Sequence, residues 1–191
     1  MTIAAAESVE KERIFEPVGY LRSEMEPGRD AWELLQQVWM TEGPGRIILP
    51  VDPVELCERI GLRALLDDEL VPEISAILRK EPGFNDPTIL LNPIDSHDRR
   101  RFVLAHAIGH YSRNLELRTN GRWEVVDGRD FFAPESEPQE SYATEFAFEL
   151  LMPRAVLKEL DDTTGVASLA ARFGVTGDVM SARLNRIGWR R

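Results

Sequence analysis

His106 and His110 stand four residues apart in the segment RRRFVLAHAIGHYSRN. On a helix, that spacing places them about 40° apart around the axis and one turn apart along it. Two imidazoles so placed converge on a point outside the helix, which is why two-histidine zinc sites use an H-x-x-x-H spacing. Leu104, Ala105, Ile108 and Gly109 around them are apolar or small. Histidines on such a face must be hydrogen-bonded or must bind a metal, and the spacing suits either state. A catalytic zinc also needs a third protein ligand and an open position. Glu140, Glu145 and Glu149 of a later segment are available for that role. Glu140 falls at the start of a predicted helix, where a carboxylate also complements the dipole. Glu145 and Glu149 are spaced as a solvated helix face. Residue types and spacing leave the choice among the three open.

The elements that must carry these groups can be read from periodicity and punctuation. Asp95 or Ser96 is placed to cap the histidine helix, predicted over about 97–114. The glutamate helix is predicted over about 139–152, ending at Pro153, with residues 115–139 irregular. Upstream, Trp32, Leu35, Val38 and Trp39 give a helical stripe over 31–40, and residues 1–30 read as an irregular arm. Asp52, Pro53 and Gly61 bracket a further helix whose apolar stripe includes Cys57. As the single cysteine of the chain, Cys57 excludes an internal disulfide and reads as a small buried hydrophobe. Three strand-like runs follow, 62–66, 74–79 and 88–92. Their short connections favour a small, mostly antiparallel sheet. Two short helices around Gly174-Val175-Thr176-Gly177 give the tail a helix-turn-helix-like pattern.

At 191 residues the chain is long enough to bury a core without metal or disulfide support. Its formal net charge is −10, which argues against general nucleic-acid binding. It has no apolar run long enough to span a bilayer and no secretory leader pattern. A cytoplasmic protein with no membrane role is expected.

The segments LPVDPVELCERIGL, RRFVLAHAIGHY and ESYATEFAFELLMP together resemble the ImmA/IrrE family of zinc metallopeptidases, over roughly residues 47–160. The resemblance implies an α+β fold with a zincin-like core, a three-stranded sheet packed on helices. It implies a metallopeptidase domain over 31–160, followed by a helical appendage over 161–191. It makes His106, His110 and Glu140 the metal ligands and zinc the cofactor, with manganese or ferrous iron as alternatives. The resemblance also implies a partner: proteins of this family typically cut a helix-turn-helix transcriptional repressor and so switch on stress or mobile-element genes, and such a repressor is the expected protein substrate here.

The chain departs from the family pattern at Ala107, where the family carries its general-base glutamate directly after the first histidine. A methyl group cannot move a proton, and general acid–base catalysis is worth roughly 10²–10⁴-fold. The resemblance therefore implies a peptidase that binds metal and is nearly inert. Two origins account for Ala107. One is a Glu→Ala substitution that silences the site, which the otherwise intact motif favours. The other is a natural loss, leaving a protein that binds the repressor without cleaving it. Tyr142 and Thr144 also stand where the family has Glu and Asn.

The remaining candidates have ordinary packing readings beside functional ones. Tyr111 and Tyr142 are placed to contact substrate or an oxyanion, and equally to pack. Arg99, Arg100 and Arg101 sit where a helix dipole disfavours them, so they should pair with acids or dock an acidic partner. The strand over 88–92 is a candidate exposed edge for an added peptide. Arg172, Arg183, Arg186, Arg190 and Arg191 would let the tail touch DNA, a reading the net charge opposes.

Overall fold

Helix punctuation in the chain is local and explicit. The computed structural model describes residues 26–40, 47–81, 86–113, 122–129, 137–160 and 164–189. Helix α1, Pro27–Leu34, starts at a proline in its first turn and continues as a π-helical turn over Leu35–Trp39. It begins four residues ahead of the expected start, because proline's fixed φ suits the first helical position. The rest of the expected arm, up to residue 25, lies outside the described residues. Asp52 caps α2, Pro53–Arg59, by accepting from the Val54 amide, and Gly61 (φ +76°) turns the chain out of it. Strand β1, Arg63–Leu66, follows at once, then β2, Ile74–Lys80, and β3, Thr88–Leu91.

Helix α3, His97–Arg113, is capped by Ser96, whose hydroxyl accepts from the Arg99 amide. Strand β4 spans Trp123–Gly128 and α4 spans Pro138–Leu151. Three short helices finish the chain: α5, Arg154–Lys158; α6, Val166–Phe173; and α7, Gly177–Arg186. No described helix is long and apolar enough to cross a membrane.

The architecture is α+β, but the sheet has four strands rather than three, in the order β1-β3-β2-β4. Strand β2 is antiparallel to both its neighbours, while β1 and β3 run parallel. The added strand, β4, falls in the stretch expected to be irregular. Its residues alternate, with Trp123, Val125 and Asp127 less exposed than Glu124, Val126 and Gly128. Two charges and a glycine in six residues mask that alternation when the sequence is read by hydrophobicity. Strand β3 is interior, so the expected exposed edge over 88–92 is corrected: the edges are β1 and β4.

Helix α3 carries nine consecutive buried residues, Phe102 to His110. A helix buried all round must be covered on every side, and here the sheet, α2 and α4 supply that cover. Phe102 meets Phe148 of α4 with ring centroids 5.2 Å apart. Each such fully buried aromatic or aliphatic side chain contributes roughly 1.5–3 kcal/mol. Helices α3 and α4 pass close to each other at Gly109. A Cβ there would lie 2.9 Å from Ala143 Cα and 3.2 Å from Phe146 Cβ. The missing side chain lets α3 and α4 approach backbone to backbone.

The tail is fastened to this core by arginines. Arg101 of α3 donates to the carbonyls of Gly174 (Nε, 2.7 Å) and Val51, joining the α6–α7 turn to α3 and the α2 lead-in. Arg183 is buried on α7, donates to Met152 O at 3.1 Å and ion-pairs Glu149. Arg186 pairs with Glu145 and lies 5.2 Å over the Phe148 ring. Glu145 and Glu149, expected as a solvated face, are thus the sites where α7 docks. Arg172 is exposed, whereas Arg190 and Arg191 lie outside the described residues. Arg99 ion-pairs Asp95, and Arg100 donates to the Asp95 and Pro93 carbonyls. Near them His97 is exposed and pairs with Asp98.

The Gly109 crossing yields a direct expectation. Gly109→Ala should cost about 1–3 kcal/mol of stability, as over-packing does, read as a lower denaturant midpoint at unchanged slope. A midpoint equal to that of the parent protein would contradict the close approach.

Candidate metal centre

Three elements deliver side chains to one point at the inner end of the α3–α4 crossing. His106 and His110 come from α3, Glu140 from the first turn of α4, and Asp127 from β4. One donor atom from each lies within 4.8 Å of all the others. The two Nε2 atoms are 3.0 Å apart. Glu140 spans the pair, with Oε2 3.3 Å from His106 Nε2 and Oε1 3.3 Å from His110 Nε2. Asp127 Oδ1 lies 3.4 Å from His110 Nε2 and 3.7 Å from His106 Nε2. Both imidazoles and Asp127 are buried, whereas the Glu140 side chain is 46% exposed and marks the side open to solvent.

The electrostatics follow from this arrangement. Burial alone would lower the His110 imidazole, but the adjacent Asp127 and Glu140 carboxylates outweigh it and hold the group at about 9. The His106 and His110 imidazoles hold the Glu140 carboxyl well below the ordinary carboxylate range, against a smaller opposing effect of burial. A positive charge at this point is therefore strongly favoured.

The residues fit a divalent ion on two counts. Donors sharing a tetrahedral ion at about 2.0–2.1 Å stand roughly 3.3–3.4 Å apart; the separations that involve the imidazoles run from 3.0 to 3.7 Å, and all four donor atoms lie within 4.8 Å of one another. Among the described residues both Asp127 oxygens are buried and meet no hydrogen-bond donor in good geometry, with the two imidazoles alongside, a costly state for a carboxylate unless a cation answers it. Thr144 Oγ1 lies 3.4 Å from His106 Nδ1. A proton on Nδ1 donated to that hydroxyl leaves Nε2 free for a metal, the usual outer-partner arrangement of a ligating histidine.

Of the residues singled out from sequence, His106, His110 and Glu140 are brought together. Ala107 is fully buried in the core beside them. Tyr142 is not part of the cluster: its hydroxyl donates to Asp30 Oδ2 of α1 at 2.6 Å, and its ring stacks on Phe146. Tyr111 is half-buried and packs against the core. Cys57 is buried, and that burial pushes its thiol up, far from a reactive thiolate. Asp127 is the residue that sequence reasoning missed. The signal available for it was the alternation Trp123, Val125, Asp127, which puts an acid on the inward face of a strand.

The fold and donor set define a candidate metal-dependent hydrolase scaffold. The family profile of the IrrE N-terminal-like domain, a peptidase family, matches residues 64–185, more than half of the chain. The chain belongs to the ImmA/IrrE family. A comparison with curated proteins gives no match.

The raised His110 imidazole carries a proton at neutral pH that a metal must displace. Metal affinity should therefore climb with pH, by up to tenfold per unit, and level off near 9. Zinc titration by calorimetry at pH 7.5 in buffers of different ionisation enthalpy should show proton release. Affinity that does not change between pH 6.5 and 9 would contradict the assignment.

Proposed function

We propose that the chain is a metal-loaded, hydrolytically silent member of its peptidase family that holds a helix-turn-helix transcriptional repressor without cutting it. The observation that carries the reading is Ala107, fully buried and directly following His106 in a cluster otherwise equipped for a divalent ion. A bound zinc would supply Lewis acidity and activation of water. His106, His110 and Glu140 would hold it, with Thr144 orienting the first imidazole. Two imidazoles and carboxylate oxygen suit zinc, and manganese or ferrous iron accept similar donors. The methyl group at position 107 neither accepts nor returns a proton, which removes a contribution of roughly 10²–10⁴-fold.

The repressor as partner comes from what the family resemblance implies. Without cleavage, sequestration is the route by which such a protein would release stress or mobile-element genes. The reading applies whether Ala107 is a Glu→Ala substitution or a natural loss. A DNA-directed role for the tail is disfavoured, because Arg183 and Arg186 are both committed to α4.

The test is incubation of the metal-loaded chain with the repressor encoded beside its gene. The complex should form, and the repressor should remain intact. Any cleavage should be at least about 10²-fold slower than that by a relative with glutamate at this position. Cleavage at the relative's rate, or failure to associate, would overturn the proposal.

A further inference from the structure

We infer that Asp127 is a fourth protein ligand, and that the ion in this chain is a closed staple between β4, α3 and α4 rather than an open reaction centre. The inference rests on the reading above that the cluster holds a divalent ion. Structural zinc sites take four protein donors, and catalytic ones keep a position free.

Three observations single out Asp127. Its Oδ1 stands 3.4 and 3.7 Å from the two imidazole Nε2 atoms, within a few tenths of an ångström of the 3.3 Å at which the Glu140 oxygens stand. A carboxylate acting as proton carrier would sit a hydrogen bond beyond the metal's water, and so farther from the ring nitrogens than a ligand does. Both Asp127 oxygens are buried without a hydrogen bond among the described residues, where the charges nearest them are the two imidazoles. Finally, the strand is shaped around this residue. Asp127 pairs with Ala76, Gly128 pairs with Ile74, and the skipped Ser75 forms a bulge directly after it. A bulge re-aims or ends a strand, and such features gather beside functional sites.

The position explains what the fold gains. Among the described strands β4 is an edge, hydrogen-bonded to β2. A bond from Asp127 to an ion shared with both helices anchors that edge to the core. It also makes sense of Ala107: a centre with no open position has no use for a base beside it.

Cobalt(II) substitution tests the inference without reference to activity. The cobalt-loaded wild type should give the intense visible bands of a tetrahedral ion, unchanged by azide. Asp127→Asn, which keeps the volume of the side chain and removes its charge, should give a shifted, azide-sensitive spectrum. Its zinc affinity should fall by at least about 10²-fold, more than the loss of an outer partner produces. A wild-type spectrum that responds to azide overturns the closure, as does an Asp127→Asn spectrum and affinity equal to wild type. If the variant fails to fold, the wild-type azide response alone decides. A wild type that binds cobalt no better than His110→Ala overturns the underlying metal reading instead, and is recognised by that comparison.

Discussion

Two buried imidazole nitrogens held 3.0 Å apart are the constraint on which the structure turns. Polar rings are expensive to bury unless each nitrogen finds a partner. Here His106 Nδ1 faces a threonine hydroxyl, and both Nε2 atoms face carboxylates brought from other elements. The backbone is arranged to make that meeting possible. Gly109 lets α4 close on α3, Pro138 starts α4 so that Glu140 falls in its first turn, and a bulge in β2 ends the pairing of β4 just past Asp127. Each device is small, and together they bring carboxylates from two other elements against one helix face.

The site was legible in the sequence to the extent that it is local. The separation of His106 and His110 is a helical repeat, so periodicity alone places both rings on one face. Glu140 was one of three equivalent acids by residue type and was singled out only by the family pattern. What separates the three in the folded chain is distant in sequence. Glu149 and Glu145 are taken by Arg183 and Arg186, 34 and 41 residues away. Tyr142 shows the same limit, since its hydroxyl partner Asp30 lies 112 residues upstream. Helix starts at Pro53 and Ser96 were readable because caps and prolines act within a turn, whereas Pro27, which opens α1, reads from the sequence as part of the arm. The sheet was harder. Pairing of β1 with β3 in parallel passes over β2, and nothing in four-residue strands records which neighbour they take. The short, charged β4 hid both itself and the acid it carries.

The chemistry divides into two capacities that the sequence treats separately. The donors that attract a cation are present and supported by a threonine behind the first imidazole. The group that would move a proton is replaced by a buried methyl. Retaining the first while lacking the second is what the proposed metal-loaded, silent protein requires. The docking of α7 on α4 through Arg183 and Arg186 fits that emphasis, because it braces the helix that carries Glu140.

The central claim is that α3, α4 and β4 close on one divalent ion. Crystals of the zinc-loaded protein, measured with X-rays on either side of the zinc absorption edge, test it most directly. The account predicts a single anomalous peak at the centre of the four donor atoms of His106, His110, Asp127 and Glu140. Density for zinc elsewhere, or none there with the Glu140 carboxylate turned to solvent, would contradict it.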